Sequence, residues 1–200
     1  MSSQIDRRKF FSLAGTGLLG VKAFGQGGGL PIEAPDSTAD TDVHRVLALF
    51  SYNGGVYYFN PAGLYIEVGQ TVEWVGVGRR AVTAYHPSFN NHELRIPENA
   101  KPFDSKSMSS GSTFRWTFEV EGTYDYYSPS HEYLGMVGRI IVGKPGGPGE
   151  EPPGYGNRLG HAVMYRDAGR VFEYLKPQDI VTEKRIPYPI DDVRRDFPWR

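Results

Sequence analysis

Gly122-Thr123-Tyr124-Asp125-Tyr126-Tyr127-Ser128-Pro129-Ser130-His131-Glu132-Tyr133-Leu134-Gly135-Met136-Val137-Gly138 joins two extended runs through a short polar loop. The aromatic residues of Gly122 to Tyr127 favour a strand. Pro129 and Gly135 punctuate the loop. Val137 to Val142 is a nearly continuous apolar run, as expected of a strand covered on both faces. Ser128, His131 and Met136 follow one another at spacings of three and five, so a hydroxyl, an imidazole and a thioether gather at one end of a strand pair.

Upstream, the same alternation repeats. Val46, Ala48 and Phe50 share one parity, and the turn Ser51 to Gly55 leads into Val56 to Phe59. Leu64 to Val68, Thr71 to Val75 and Ala81 to Tyr85 read as further strands. In Ser112 to Val120, Phe114, Trp116 and Phe118 lie on one face with Thr113, Arg115 and Thr117 on the other, the pattern of a half-buried antiparallel strand. Residues 87–111 interrupt the rhythm with a long polar excursion that should cover one end or side of the sheets. Seven or eight short strands over about 100 residues, with no amphipathic helix longer than two turns, predict an all-β Greek-key sandwich.

The strand pattern ends at Gly143. Residues 144–157 are rich in Gly and Pro and read as a linker. Residues 158–200 read as an extended C-terminal arm with one short helix, Ala168 to Lys176, which Pro177 stops. Isolated apolar anchors, among them Ile180, Ile186, Tyr188, Phe197 and Trp199, are too few for a separate core. They suit an ordered arm that drapes over the sandwich or docks on a protein partner or a second copy. At the other end, Asp6-Arg7-Arg8-Lys9-Phe10-Phe11 precedes a short, Gly-rich, weakly apolar run ending near Gly25. Residues 1–25 thus resemble a twin-arginine export signal, too short for a lasting membrane anchor, which predicts a periplasmic or extracellular protein delivered folded. Residues 26–41 have the composition of a flexible segment.

Among 200 residues there is no cysteine, and 22 Lys+Arg against 23 Asp+Glu leave a net charge of -1. Disulfides, cysteine nucleophiles and thiolate-bound metals are excluded. Near-neutral charge argues against nucleic acid as a partner, since such a binder needs a basic face. No nucleophile elbow, phosphate-binding glycine loop or glycosidase-type carboxylate pair is present, and no enzymatic activity is expected.

The loop from Ser128 to Met136 and its flanking strands closely resemble the ligand loop of the small blue copper proteins, the plastocyanin- and halocyanin-like cupredoxins. FNPAGLYIEVGQTVEWV, RRAVTAYHP and GSTFRWTFEVEGTYDYY extend the resemblance over residues 42–143. It implies a cupredoxin-like sandwich in which Cys, His and Met ligands stand at positions 128, 131 and 136, with a further His best matched at position 80. His131 and Met136 are retained there, whereas Ser128 and Arg80 replace the other two ligands. An alcohol cannot make the copper–thiolate bond, and a guanidinium offers no lone pair. No cofactor is therefore expected, and copper is the alternative. His86 and His92, with a carboxylate such as Glu93, are candidates for a separate metal site; His44 and His161 have no evident companion. Two functions follow: a copper-free binding, scaffold or assembly subunit, or an electron-transfer protein with a degenerate copper site.

Overall fold

Strand alternation translates directly into two facing sheets. In a computed structural model residues 42–52 and 55–189 are described, and the expected signal, the segment 26–41 and the chain end 190–200 lie outside the described residues. The strands are β1 (Val43–Ser51), β2 (Val56–Asn60), β3 (Gly63–Ile66), β4 (Thr71–Gly76), β5 (Thr83–Ala84), β6 (Thr113–Thr117), β7 (Gly122–Tyr127), β8 (Val137–Val142) and β9 (Arg185–Ile186). One sheet has the order β2-β1-β4-β6 and the other β5-β7-β8-β3-β9. The pairs β1/β4 and β3/β8 are parallel and the remaining pairs antiparallel, the mixed pairing of a Greek-key sandwich.

The residues between the sheets are those that the alternation selects. Val46, Ala48, Phe59, Leu64, Ile66, Val72, Trp74, Tyr124, Tyr126, Ile140 and Val142 form the main core. β6 keeps Thr113, Arg115 and Thr117 exposed while Phe114 and Trp116 turn towards Trp74 and Phe103. The polar excursion after β5 runs beside that strand, through bonds such as Ala84 N–H to the Phe103 carbonyl and Ser105 N–H to that of Val82. It inserts Ile96, Phe103 and Met108 into the core.

β7 and β8 are buried along their whole length because a second layer covers the outer face of their sheet. That layer is the C-terminal arm. Helix α1 spans Arg166–Tyr174, two residues ahead of the expected range. Pro177 ends the approach to one helix but also opens another, α2 (Pro177–Glu183), since proline tolerates the first helical turn. Val171, Phe172, Leu175, Ile180, Ile186 and Tyr188 pack with Val56, Ala62, Tyr85, Tyr127, Val137 and Ile141 in a second core. β9 then adds an edge strand to β3. The stretch read as a linker is also seated on the sandwich. At the buried Gly149 a Cβ would lie 2.7 Å from Thr123 Cγ2 and 2.9 Å from the Thr123 carbonyl oxygen, so only glycine fits that approach.

A charged layer ties sheet, excursion and arm together. Asp125 and Arg139 face each other across β7 and β8, with Arg139 Nε donating to Asp125 Oδ1 at 2.7 Å. Arg95, from the excursion, donates to Asp125 Oδ2 at 2.7 Å and to Glu93 Oε1 at 2.9 Å. Both guanidiniums also donate to the Gly149 carbonyl, and Arg139 reaches that of Leu175 at 2.8 Å. Glu93 accepts from the N–H groups of Gly154 and Gly156. Phe172 lies beneath both guanidiniums. Two carboxylates balance two guanidiniums here, so removing one carboxylate leaves a buried positive charge. Asp125→Ala is expected to cost about 3–5 kcal/mol, measured by urea unfolding, because a broken buried ion pair leaves its partner uncompensated. A loss under about 1 kcal/mol would show the layer to be dispensable.

Candidate functional site

The turn after β7 places its side chains through its own backbone bonds. Ser128 N–H donates to the Met136 carbonyl at 3.0 Å, His131 N–H to that of Ser128 at 2.9 Å, and Met136 N–H to that of His131 at 3.1 Å. Glu132–Leu134 forms a single 3-10 turn that Gly135 ends in the left-handed region at φ 80°. The arm reaches this turn too, where Tyr188 Oη donates to the Gly135 carbonyl.

His131 stands 3.4 Å from the buried Ser128 hydroxyl through Nδ1 and stacks on Tyr57 of β2, ring centroids 3.9 Å apart. The Arg80 guanidinium lies 4.7 Å from the centroid of the same Tyr57 ring and donates through Nη1 to the Arg79 carbonyl. Backbone bonds to Met108 hold Arg80 in place. Burial pushes the His131 pKa below its usual range, and the Arg80 charge lowers it further. Both effects favour the neutral ring. Met136 is fully buried and belongs to the main core.

Of these residues, Arg80 and His131 border an open cleft of about 810 Å³. Arg79, Arg80, Lys106 and Asp104 contribute its charges, Phe89 an aromatic wall, and Ser130 and His131 its edge along the turn.

The other histidines are engaged elsewhere. His92 is buried with Nε2 3.2 Å from Glu132 Oε2, while Tyr85 donates to Glu132 Oε1 at 2.7 Å. His86 Nδ1 accepts the Ser88 N–H, and Glu93 belongs to the arginine layer. The structure thus does not bring His86, His92 and Glu93 together as ligands, since each already serves a separate local contact. His44 pairs with Gln70, and His161 lies beside Gly156. Among the described residues no three His, Cys, Asp or Glu side chains are grouped to hold a metal ion.

Residues 48–143 match the family described as copper binding proteins, plastocyanin/azurin family. The fold is cupredoxin-like. The chain is 29% identical over 108 residues to a halocyanin of Natronomonas pharaonis, covering 54% of this chain and 61% of the halocyanin. A plastocyanin of Scenedesmus fuscus is 28% identical over 92 residues, 45% of this chain and 91% of its own. A pseudoazurin structure from Sinorhizobium meliltoi superposes with a TM-score of 0.48 at 22% identity, over 66% of this chain and 92% of the pseudoazurin. The chain therefore spans less than two thirds of the halocyanin.

The residues of this cupredoxin-like domain do not fit type 1 copper. Such a centre needs a thiolate and two imidazoles, with a weak axial ligand. Ser128 supplies only a neutral hydroxyl, and Arg80 places a cation near the one imidazole of the turn. A cation bound beside that guanidinium would meet like-charge repulsion.

Tyr57, Arg79, Lys106 and the His92–Glu132 pair are neighbours that the sequence reading does not single out. A signal existed for the charged layer: Asp125 and Arg139 interrupt two otherwise aromatic or apolar runs, which predicts partners across adjacent strands.

Proposed function

We propose that the chain is an exported, non-catalytic binding subunit that uses the cupredoxin scaffold without a type 1 copper centre. The observation that carries this reading is the Arg80 guanidinium over Tyr57, with His131 stacked on the same ring. That arrangement occupies the imidazole with an aromatic contact and sets a permanent cation beside it. The twin-arginine-like segment before residue 25 supports export. The apolar anchors of α1, α2 and β9 are engaged on the sandwich itself, which favours recognition at the loop end over capture of a partner or second copy by a free arm.

Retention of His131 and Met136 favours the second reading, electron transfer through a degenerate site. Copper loading separates the two. Protein incubated with one equivalent of Cu(II), then desalted, is expected to retain far less than one copper by metal analysis and to show no intense visible band. Stoichiometric retention, with an EPR signal lost in His131→Ala, would sink the copper-free reading.

A further inference from the structure

We propose that the cleft between Arg80 and His131 binds an oxyanion group, phosphate or carboxylate, carried by a small organic molecule. The inference rests on the copper-free reading, because it requires Arg80 to face the cleft in place of a metal.

Arg79, Arg80 and Lys106 border the cleft against one carboxylate, Asp104. Asp104 is already engaged: Lys106 Nζ donates to Oδ2 at 2.7 Å, Lys106 N–H to Oδ1 at 2.9 Å, and Thr83 to Oδ1 at 3.1 Å. Its pKa is held low because, although burial opposes ionisation, the Lys106 and Thr83 hydrogen bonds outweigh it. The remaining cations are therefore uncompensated.

The buried Arg95 and Arg139 share Asp125, and even the exposed Arg45 and Arg115 flank Glu73. Half-buried Arg80 forms no ion pair among the described residues. Its Nη1 donates to a neighbouring carbonyl, and its Nε is buried without a hydrogen-bond partner. Tyr127 and Asn90 also line the cleft. A half-buried guanidinium without a carboxylate partner, in a cleft of net positive charge, is the complement of an oxyanion. Arginine suits that task through its planar fork of N–H donors.

The dimensions and walls of the cleft suit a small organic molecule that carries the anionic group. About 810 Å³ falls within the usual range of organic-ligand pockets. Phe89 supplies an apolar wall, and Ser88 and Ser130 add hydroxyls at the rim. An anionic group would sit against Arg80 while the organic body lies along that wall. Cations are disfavoured by the same field.

The test uses the full chain, freed of metal by chelation, in two NMR titrations at constant ionic strength, one with sodium phosphate and one with sodium succinate. Saturable shifts are expected at the amides of residues 79–80, 106–107 and 130–131. The tighter of the two probes identifies the anionic group. Arg80→Gln should weaken binding by at least about tenfold, the loss typical of one charge-assisted hydrogen bond. Arg79→Gln, at an exposed position, gives a second reading if Arg80→Gln does not fold, and should weaken binding by about threefold. Arg170→Gln, outside the cleft, should leave it unchanged.

Shifts that grow linearly without saturation for both probes, or that respond equally to Arg170→Gln, would overturn the proposal. Copper retention, measured separately in anion-free buffer, keeps the two readings apart. No copper and no saturable shift rejects anion binding alone, whereas stoichiometric copper rejects the reading beneath it.

Discussion

A chain ended at Lys144 is expected to lose its cooperative native fold, giving aggregation or a stability loss of at least about 5 kcal/mol in urea unfolding. Removing the arm strips Val171, Phe172, Leu175, Ile180, Ile186 and Tyr188 from the second core. Each fully buried side chain of this size contributes about 1.5–3 kcal/mol. Ordering the arm offsets part of that sum. The sandwich then suffers on its own side: Val56, Tyr85, Tyr127, Val137 and Ile141 lose their cover, and β3 loses the β9 edge pairing. Arg95 and Arg139 would lose the carbonyls of Gly149 and Leu175 that accept their outer N–H groups. Domain stabilities of about 5–15 kcal/mol leave little margin for losses of this kind. A truncated monomer with an unchanged urea midpoint would show that the arm is an accessory, as its linker-like connection suggests from sequence alone.

The contrast between that expectation and the linker reading shows which physics a sequence displays. Alternation along β6 or the apolar run of β8 is a one-dimensional record of burial, and both strands stand where the pattern puts them. The arm has no such record. Val171, Phe172 and Leu175 mark one short helix, but Ile180, Ile186 and Tyr188 are spaced singly, and Ile180 and Ile186 both approach Gly63 of β3, so only the tertiary structure reveals that they share a core. Gly149 is buried because it lacks a side chain, a property that in sequence looks the same as flexibility. Pro177 illustrates the same ambiguity, since it both breaks one helix and starts the next.

The turn from Ser128 to Met136 was legible to a greater depth, because spacing, chemistry and flanking strands agree there. Sequence could not show that Tyr57 takes up His131, or that Glu132 turns away towards His92 and Tyr85. Those contacts join residues far apart in the chain. The cleft was likewise invisible, because Arg79, Arg80 and Lys106 reach it from two separate segments.

Combining Arg80→His with Ser128→Cys is expected to create a copper site, with one Cu(II) bound per chain, an intense visible thiolate band and an affinity at least about a thousandfold above that of the natural chain. The geometry supports this at three points. Position 128 is buried and its side-chain oxygen lies 3.4 Å from His131 Nδ1, so a sulfur there would stand beside the imidazole. Met136 is bonded through its N–H to the His131 carbonyl, which keeps the thioether residue at the base of the turn. Arg80 lies over the ring on which His131 stacks, so replacing it removes a cation from the vicinity and adds an imidazole. Replacing the guanidinium relieves like-charge repulsion on a bound cation, and the thiolate adds the soft anion that copper prefers. Freeing His131 from Tyr57 opposes this by about 0.5–1.5 kcal/mol, too little to reverse the sign. Each single variant should remain much weaker: Ser128→Cys alone keeps the guanidinium, and Arg80→His alone lacks the soft anion that copper requires. Chelator competition and visible spectra measure both quantities. A double variant that folds but takes up no copper would mean that the backbone around position 80, as well as its side chain, has departed from ligand geometry.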